Sequence, residues 1–218
     1  MELEYQNYPK FTPEMKKTHK ILIPNMAPVQ FRILAAVMRQ AGYTCELLEN
    51  CGSQVCELGL KYVHNDTCYP ALLVIGQFLD ALNSGKYDLD HTALIITQTG
   101  GGCRASNYIH LLRKALKKDG LDFIPVISLN LSGLESNSGF KITLPMIRRA
   151  IAALTYGDLL MLLKNQTKPY EVTPGESDAL VDSWTSQLTK LFQQGKAFSQ
   201  REVREYFQKI AQSFADIK

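Results

Sequence analysis

The sequence of 218 residues lacks several features that would assign its class at once. No apolar run approaches the roughly 20 residues that are needed to cross a bilayer. Neither sign of charge is in excess, because 24 basic and 21 acidic residues give a formal net charge of only +3. This balance does not require a nucleic acid or a membrane surface as partner, and we predict neither. Hydrophobic residues make up 45% of the chain, so disorder is excluded as the default state.

Common catalytic signatures are also missing. The sequence has no G-x-S-x-G elbow of a serine hydrolase, no Walker-type phosphate loop and no dinucleotide fingerprint of the G-x-G-x-x-G form. The first 20 residues are polar and charged and contain no signal-peptide core. We therefore expect a cytoplasmic protein, and whether it is an enzyme stays open.

Short apolar runs alternate with helical patterns over the first 164 residues. The sequence predicts strands at 19–24, 43–48, 91–97 and 123–131 and helices at 29–41, 70–82, 105–118 and 144–163, and it leaves 58–63 open between strand and helix. This alternation predicts an α/β fold with an open parallel sheet and helices on both faces, of the flavodoxin-like or Rossmann-like kind.

The character of the chain changes after residue 164. A polar link with two prolines covers 165–175, and two amphipathic helices are predicted at 177–193 and 199–215. Ser199 followed by Glu202 fits a capping box at the start of the second helix. We predict an α/β domain over 1–164, followed by a linker and a C-terminal helical appendage over 165–218.

Five cysteines lie in the first half of the chain, at positions 45, 51, 56, 68 and 103. An odd number in a reducing compartment argues against a disulfide framework. Cys45 falls within a predicted strand and is expected in the core. Cys51 and Cys56 lack a recognised zinc spacing, so structural or incidental roles are expected, although Cys56 remains a candidate third ligand.

The segment Thr97-Gln-Thr-Gly-Gly-Gly-Cys-Arg-Ala-Ser-Asn-Tyr108 stands out for its chemistry. It follows the clearest strand and opens a helix, which is where open α/β sheets bind ligands. Gly100, Gly101 and Gly102 would let the backbone approach a cofactor or anion closely, and Arg104 adds positive charge. Cys103 is thus a candidate metal ligand or nucleophile, and the plainer alternative is a tight turn with a buried cysteine.

A second cysteine, Cys68, occurs in His64-Asn-Asp-Thr-Cys-Tyr-Pro70, directly before a proline that suits the first turn of a helix. Two cysteines at helix starts could converge at one edge of the sheet, where their thiolates would suit a soft metal or an iron–sulfur cluster. Cys68 and Cys103 are therefore the predicted metal ligands. Two cysteines do not complete a four-cysteine cluster.

These motifs together resemble the large CoA-substrate-specific enzyme activases, which are relatives of the 2-hydroxyacyl-CoA dehydratases and their ATP-dependent activators. The resemblance covers about 21–171. It rests on the segments 59–71, Gly76-Gln77, 84–88 and 97–108, with Tyr156-Gly-Asp158 and Lys168-Pro-Tyr-Glu171 as later landmarks.

The resemblance implies a dehydratase-like module with a flavodoxin-like sheet, in which cysteines from loops at strand ends hold a cubane cluster. By this likeness Cys68 and Cys103 would bind a cluster of the 4Fe-4S type that serves low-potential electron transfer or activation. Partners would be the other modules or subunits of a dehydratase or activase system, and a homo-oligomer is also considered. The ATP-binding modules of the family have no counterpart in these 218 residues.

Two other interpretations stay open. The glycine loop and Arg104 could hold an anionic ligand such as the phosphates of a CoA ester. Alternatively, the chain could be a scaffold domain of a larger multidomain protein without catalysis of its own. An exposed apolar stripe on residues 177–215 would support the scaffold interpretation.

Overall fold

The computed structural model describes residues 8–64, 66–98, 107–130 and 139–217. The strands in these residues are β1 (Lys20–Ile23), β2 (Cys45–Leu47), β3 (Thr92–Thr97) and β4 (Val126–Leu129). The helices are α1 (Met15–Thr18), α2 (Pro28–Gln40), α3 (Ser53–Tyr62), α4 (Tyr69–Asn83), α5 (Tyr108–Lys118), α6 (Leu144–Thr167), α7 (Glu176–Gln193) and α8 (Gln200–Ala215). Short 3-10 turns precede β3 (Leu89–His91) and follow α6 (Lys168–Tyr170).

All four strands pair in parallel in the order β2-β1-β3-β4. Ile21 of β1 lies between Cys45 of β2 and Ala93 of β3, and Leu94 of β3 pairs with Val126 of β4. Most residues of β1 and β3 are apolar and buried, as expected for the central strands of a parallel sheet. The predicted α/β class with an open parallel sheet is confirmed, and its strand order reverses between β1 and β3, as in flavodoxin-like sheets.

The helix predictions agree well with the structure, since each predicted helix has a counterpart at nearly the same position. The segment 58–63, which the sequence left open, lies mostly in α3, and α6 runs unbroken through Tyr156-Gly157. The strand predicted over 123–131 is shorter than expected. The Ile124 N–H donates to the Leu121 oxygen in a turn, so β4 begins only at Val126.

By their contacts the residues divide into two compact units. The first contains 1–26 and 43–141, and therefore the whole sheet. Its core consists of apolar side chains from the strands and from α4 and α5, among them the fully buried Ile75, Phe78, Leu94 and Leu112.

The second unit contains 27–42 and 142–218. In it α2 packs against α6 and α7, and α8 packs against α6. Tyr156 is fully buried and makes edge contacts with the rings of Phe192 and Phe207, with centroids 6.0 and 5.3 Å away. Burial raises the pKa of the Tyr156 phenol, so this tyrosine stays neutral in the core.

Two details explain how the second unit is held. Ser199 and Glu202 form the predicted capping box at the start of α8. The Asp178 carboxylate pairs with Lys164 and Lys168 at 2.5 and 2.6 Å, and these hydrogen bonds lower its pKa.

No helix in the described part of the chain is long and apolar enough to span a membrane.

Candidate functional site at the carboxyl edge of the sheet

Polar side chains follow the carboxyl ends of three neighbouring strands. Asn25 comes two residues after β1, Asn50 three residues after β2, and Gln98 directly after β3. Because the strands are parallel, these ends lie at one edge of the sheet, which is the usual ligand-binding edge of open α/β folds. The candidate site is therefore built at this edge.

Gln77 on α4 ties the loops after β1 and β2 together. Its Oε1 accepts the Asn25 N–H at 2.8 Å, and its Nε2 donates to the Asn50 oxygen at 2.9 Å. Asn50 Nδ2 in turn donates to the Gln77 oxygen at 2.9 Å and to Asp80 Oδ2 at 2.8 Å. This network fixes the two loops against α4.

The end of β3 is fixed in a similar way. Gln98 is buried; its N–H donates to the Leu129 oxygen at 3.0 Å, and its Oε1 accepts the Ser128 hydroxyl at 2.7 Å. Asn130 Nδ2 donates to the same Ser128 oxygen at 2.8 Å. The point at which the chain leaves β3 for the glycine loop is thus held by β4.

Cys68 lies at the start of α4, as predicted, and occupies the N-cap position. Its Sγ is half-buried and lies 2.9 Å from Tyr108 Oη, within hydrogen-bond distance. Tyr108 is the first residue of α5 and is itself buried. The start of α4 and the start of α5 are therefore neighbours at this edge.

The glycine-loop residues Gly100, Gly101, Gly102, Cys103 and Arg104 lie outside the described residues. Their roles as cofactor-binding residues and metal ligand stay predictions. Tyr108 follows Cys103 by five positions in the chain, and its hydroxyl contacts Cys68.

A cleft of about 680 Å³ opens beside the loops after β1 and β2. Cys51 and Cys56 both line it. Cys51 is exposed and precedes α3, whereas Cys56 is half-buried and lies in the first turn of α3. Tyr69 donates its hydroxyl hydrogen to Cys56 Sγ at 3.9 Å, a long contact that raises the pKa of the phenol. Cys56 therefore lies beside the start of α4, because its partner Tyr69 directly follows Cys68 in the sequence.

Two glycines bring α3 close to α4. A Cβ atom at Gly76 would lie 1.9 Å from the Val55 oxygen, and one at Gly59 would lie 2.3 Å from the Leu72 oxygen. Both distances are far below van der Waals contact, so only glycine allows this crossing. The crossing places Cys56 of α3 next to Tyr69 of α4.

The described residues contain no group of three or more His, Cys, Asp or Glu side chains that could hold a metal ion. Cys45 is buried in β2, and its predicted core position is confirmed. His64 is mostly exposed, with its Nδ1 3.2 Å from Asp66 Oδ2. Of the two predicted metal ligands, only Cys68 is thus described.

Sequence reasoning missed the residues that surround Cys68. The sequence gives Tyr108 and Tyr69 only as members of motifs, without a role, and it does not predict the Asn25–Gln77–Asn50 network. The one signal in the sequence for a role of Tyr108 is its position at the start of the helix that follows the glycine loop with Cys103. The partner of its hydroxyl depends on tertiary contact.

Several landmarks of the proposed resemblance have structural roles. Gly59 and Gly76 permit the helix crossing. Asp158 accepts a hydrogen bond from Gln30 Nε2 at 2.9 Å. Glu171 accepts the N–H groups of Gly175 and Ser177 at 2.6 and 2.9 Å at the start of α7, and the Ser177 side chain, followed by these N–H groups, lowers its pKa. Such residues therefore do not argue for a cofactor.

Comparison with protein-family models, curated proteins and solved structures gives no match.

Proposed function

We propose that the chain is an iron–sulfur cluster-binding module, similar to those of the 2-hydroxyacyl-CoA dehydratases and their activators, and that it serves low-potential electron transfer or activation. The observation that carries the proposal is the contact of Cys68 Sγ with Tyr108 Oη at 2.9 Å. This contact joins the start of α4 to the helix that follows the glycine loop. It supports a common site for the two cysteine motifs.

The surroundings of Cys68 favour a negatively charged ligand set. The thiol lies at the amino end of α4, a helix of 15 residues, and the amino end of α5 is adjacent. Helix starts stabilise negative charge, and the Tyr108 hydroxyl is a further hydrogen-bond donor for a sulfur atom. When bound, the cluster would supply one-electron chemistry at a potential tuned by such donors.

The donor set in the described residues fits a cluster only in part. Cys68 is half-buried and lies at this edge of the sheet, but within the described ranges it belongs to no group of three or more His, Cys, Asp or Glu side chains that could hold a metal. Under the proposal Cys103 supplies the second thiolate. The remaining ligands would come from Cys56, a second subunit, another module or a non-protein ligand.

Anaerobic reconstitution with iron and sulfide tests the proposal. We expect the purified chain to bind both and to lose them in the Cys68→Ala, Cys103→Ala double variant. Cys51→Ala is the matched control, because this cysteine is exposed and should leave the cluster content unchanged. A chain that stays free of iron under reconstitution, or a double variant that keeps its full cluster content, would refute it.

A second candidate function is the binding of an anionic ligand such as a CoA ester. A groove of about 1040 Å³ runs along α5 and is lined by Lys114, Lys117, Lys118 and His110. No ion pair joins these three lysines to an acidic side chain elsewhere in the described ranges. The groove therefore offers positive charge beside the helix that follows the glycine loop.

Thermal-shift titration separates this candidate from the cluster proposal. A CoA ester well above its dissociation constant must raise the melting temperature by mass action. The rise should shrink in a Lys114→Ala, Lys118→Ala variant and persist in Cys68→Ala. An unchanged melting temperature at saturating ester would exclude the anion site and leave the cluster proposal intact.

A further inference from the structure

Helix α6 is apolar on two faces, and one of them is exposed. Its inner face buries Met146, Ala153, Tyr156 and Leu160 within the second unit. Its outer face exposes large apolar side chains to solvent, with exposed fractions of 41–61%: Leu144, Ile151, Leu154, Met161 and Leu162. Several large apolar side chains exposed on one helix indicate an interaction surface. In contrast, described residues 177–217 show no exposed large apolar side chain, so the stripe that would support the scaffold interpretation is not found there.

The outer face of α6 has the spacing of a coiled-coil seam. Exposed residues follow one another at alternating intervals of four and three, namely Leu144, Arg148, Ile151, Thr155, Asp158 and Leu162. At about 100° per residue these six positions fall within an arc of about 80°. Such a 4-3 alternation is the pattern by which one helix packs along another.

The seam is complementary to itself when it is reversed about Ala153. Reversal places Leu144 opposite Leu162, Ile151 opposite Thr155 and, between these layers, Arg148 opposite Asp158. Each Arg–Asp pair then occurs twice, as a two-fold axis requires. In the parallel arrangement Arg148 would instead face Arg148, which costs free energy through like-charge repulsion.

Both charged side chains are placed to make this pair. None of the described acidic side chains forms an ion pair with Arg148. Asp158 uses Oδ1 to accept the Gln30 hydrogen bond, which leaves Oδ2 for a guanidinium group.

The seam also forms one wall of a groove. Arg148, Ile151 and Thr155 line a groove of about 710 Å³ together with Phe198, Val203 and Phe207 from the α8 region. Apolar side chains of an opposing helix would fill this groove. The groove therefore extends the surface that a helix on the seam would bury.

We propose that two copies of this chain associate through their α6 helices as an antiparallel, two-fold symmetric pair centred on Ala153. The apolar layers supply most of the association free energy, and the two Arg148–Asp158 pairs fix the antiparallel register. This inference rests on α6 and the groove beside it and is independent of the proposed cluster.

Sedimentation analysis of charge variants tests the proposal. When the concentration of the full chain is varied about a hundredfold, we expect the fraction of dimer to rise with concentration. Arg148→Glu and Asp158→Arg should each weaken self-association by at least about tenfold, because each sets like charges opposite one another. An equimolar mixture of the two variants should dimerise again, because both pairs then regain opposite charges.

Two further variants keep the test decisive. Ile151→Asp changes only an exposed side chain and should also abolish the dimer, even if Asp158→Arg disturbs the fold through Gln30. Arg201→Glu changes an exposed side chain of α8 that belongs neither to the seam nor to the lining of the groove, and it should leave the dimer unchanged. A chain that is monomeric at all concentrations, or a mixture that fails to dimerise while both folded variants remain monomeric, would overturn the proposal.

Discussion

Replacing Gly76 by alanine should force α3 away from α4. The added Cβ would lie 1.9 Å from the Val55 oxygen, 2.9 Å from the Gly59 nitrogen and 3.0 Å from the Val55 carbonyl carbon. All three atoms belong to the backbone, so no side-chain rotation relieves the overlap. The helices must separate by at least about 1 Å, and overpacking of this kind costs about 3 kcal/mol.

The alanine also brings a gain of about 1 kcal/mol in helix propensity, which leaves a net loss of about 2 kcal/mol. For a chain of this size such a loss lowers the melting temperature by about 4–8 °C. Thermal unfolding followed by circular dichroism measures the change. Because α3 carries Cys56, its reaction rate with a thiol reagent should rise in the same variant.

Gly85→Asn is the matched control. Gly85 has a positive φ of 72° and open space around its Cβ position, and asparagine tolerates this conformation better than other side chains. Its melting temperature should change by less than that of Gly76→Ala. An unchanged or higher melting temperature for Gly76→Ala would refute the close helix crossing.

Three further predictions concern stability and the site. Burial of Glu46 raises its pKa, but hydrogen bonds from Lys86, Tyr87 and Lys20 outweigh this and lower it to about 2 from 4.5. The contribution of Glu46 to the free energy of unfolding is therefore present above pH 4.5 and is lost as the pH falls towards 2. In urea unfolding, Glu46→Gln should lower the free energy of unfolding by about 1–2 kcal/mol at pH 7, and this difference from the parent should disappear in acid. An equal difference at pH 7 and pH 2 would contradict this. Ser199→Ala removes the capping box of α8 and should cost about 1 kcal/mol in the same assay, and no loss would mean that the cap is not formed in solution. Tyr108→Phe removes the hydroxyl that contacts Cys68 and should change the reaction rate of Cys68 with iodoacetamide, and a rate equal to the parent's would argue against the hydrogen bond.

Local signals in the sequence predicted most of the fold. The apolar run of β3 and the prolines at the starts of α2, α4 and α6 each act within a few residues, so their positions follow from the sequence alone. The boundary of β4 was wrong because the turn at Leu121 and Ile124 competes with the strand for the same apolar run. Segment 58–63 was undecided because its packing partner, Leu72 of α4, is distant in sequence.

The site could be predicted only in outline. The position of Cys68 before Pro70 was sufficient to place it at a helix start. Its contact with Tyr108 joins residues 40 positions apart, and the Gln77 network joins residues up to 52 positions apart. Such contacts depend on the order of strands in the sheet, which the local patterns do not contain.

The most direct test of the central claim is the iron and sulfide content of the chain after anaerobic reconstitution. A bound cluster of the 4Fe-4S type should contribute about four iron and four sulfide ions and should give an electron paramagnetic resonance signal after reduction. The proposal predicts that both are present in the parent chain and in Cys51→Ala and that both are lost in Cys68→Ala, Cys103→Ala. Cluster content in that double variant equal to the parent's, or no bound iron in any of the three proteins, would contradict it.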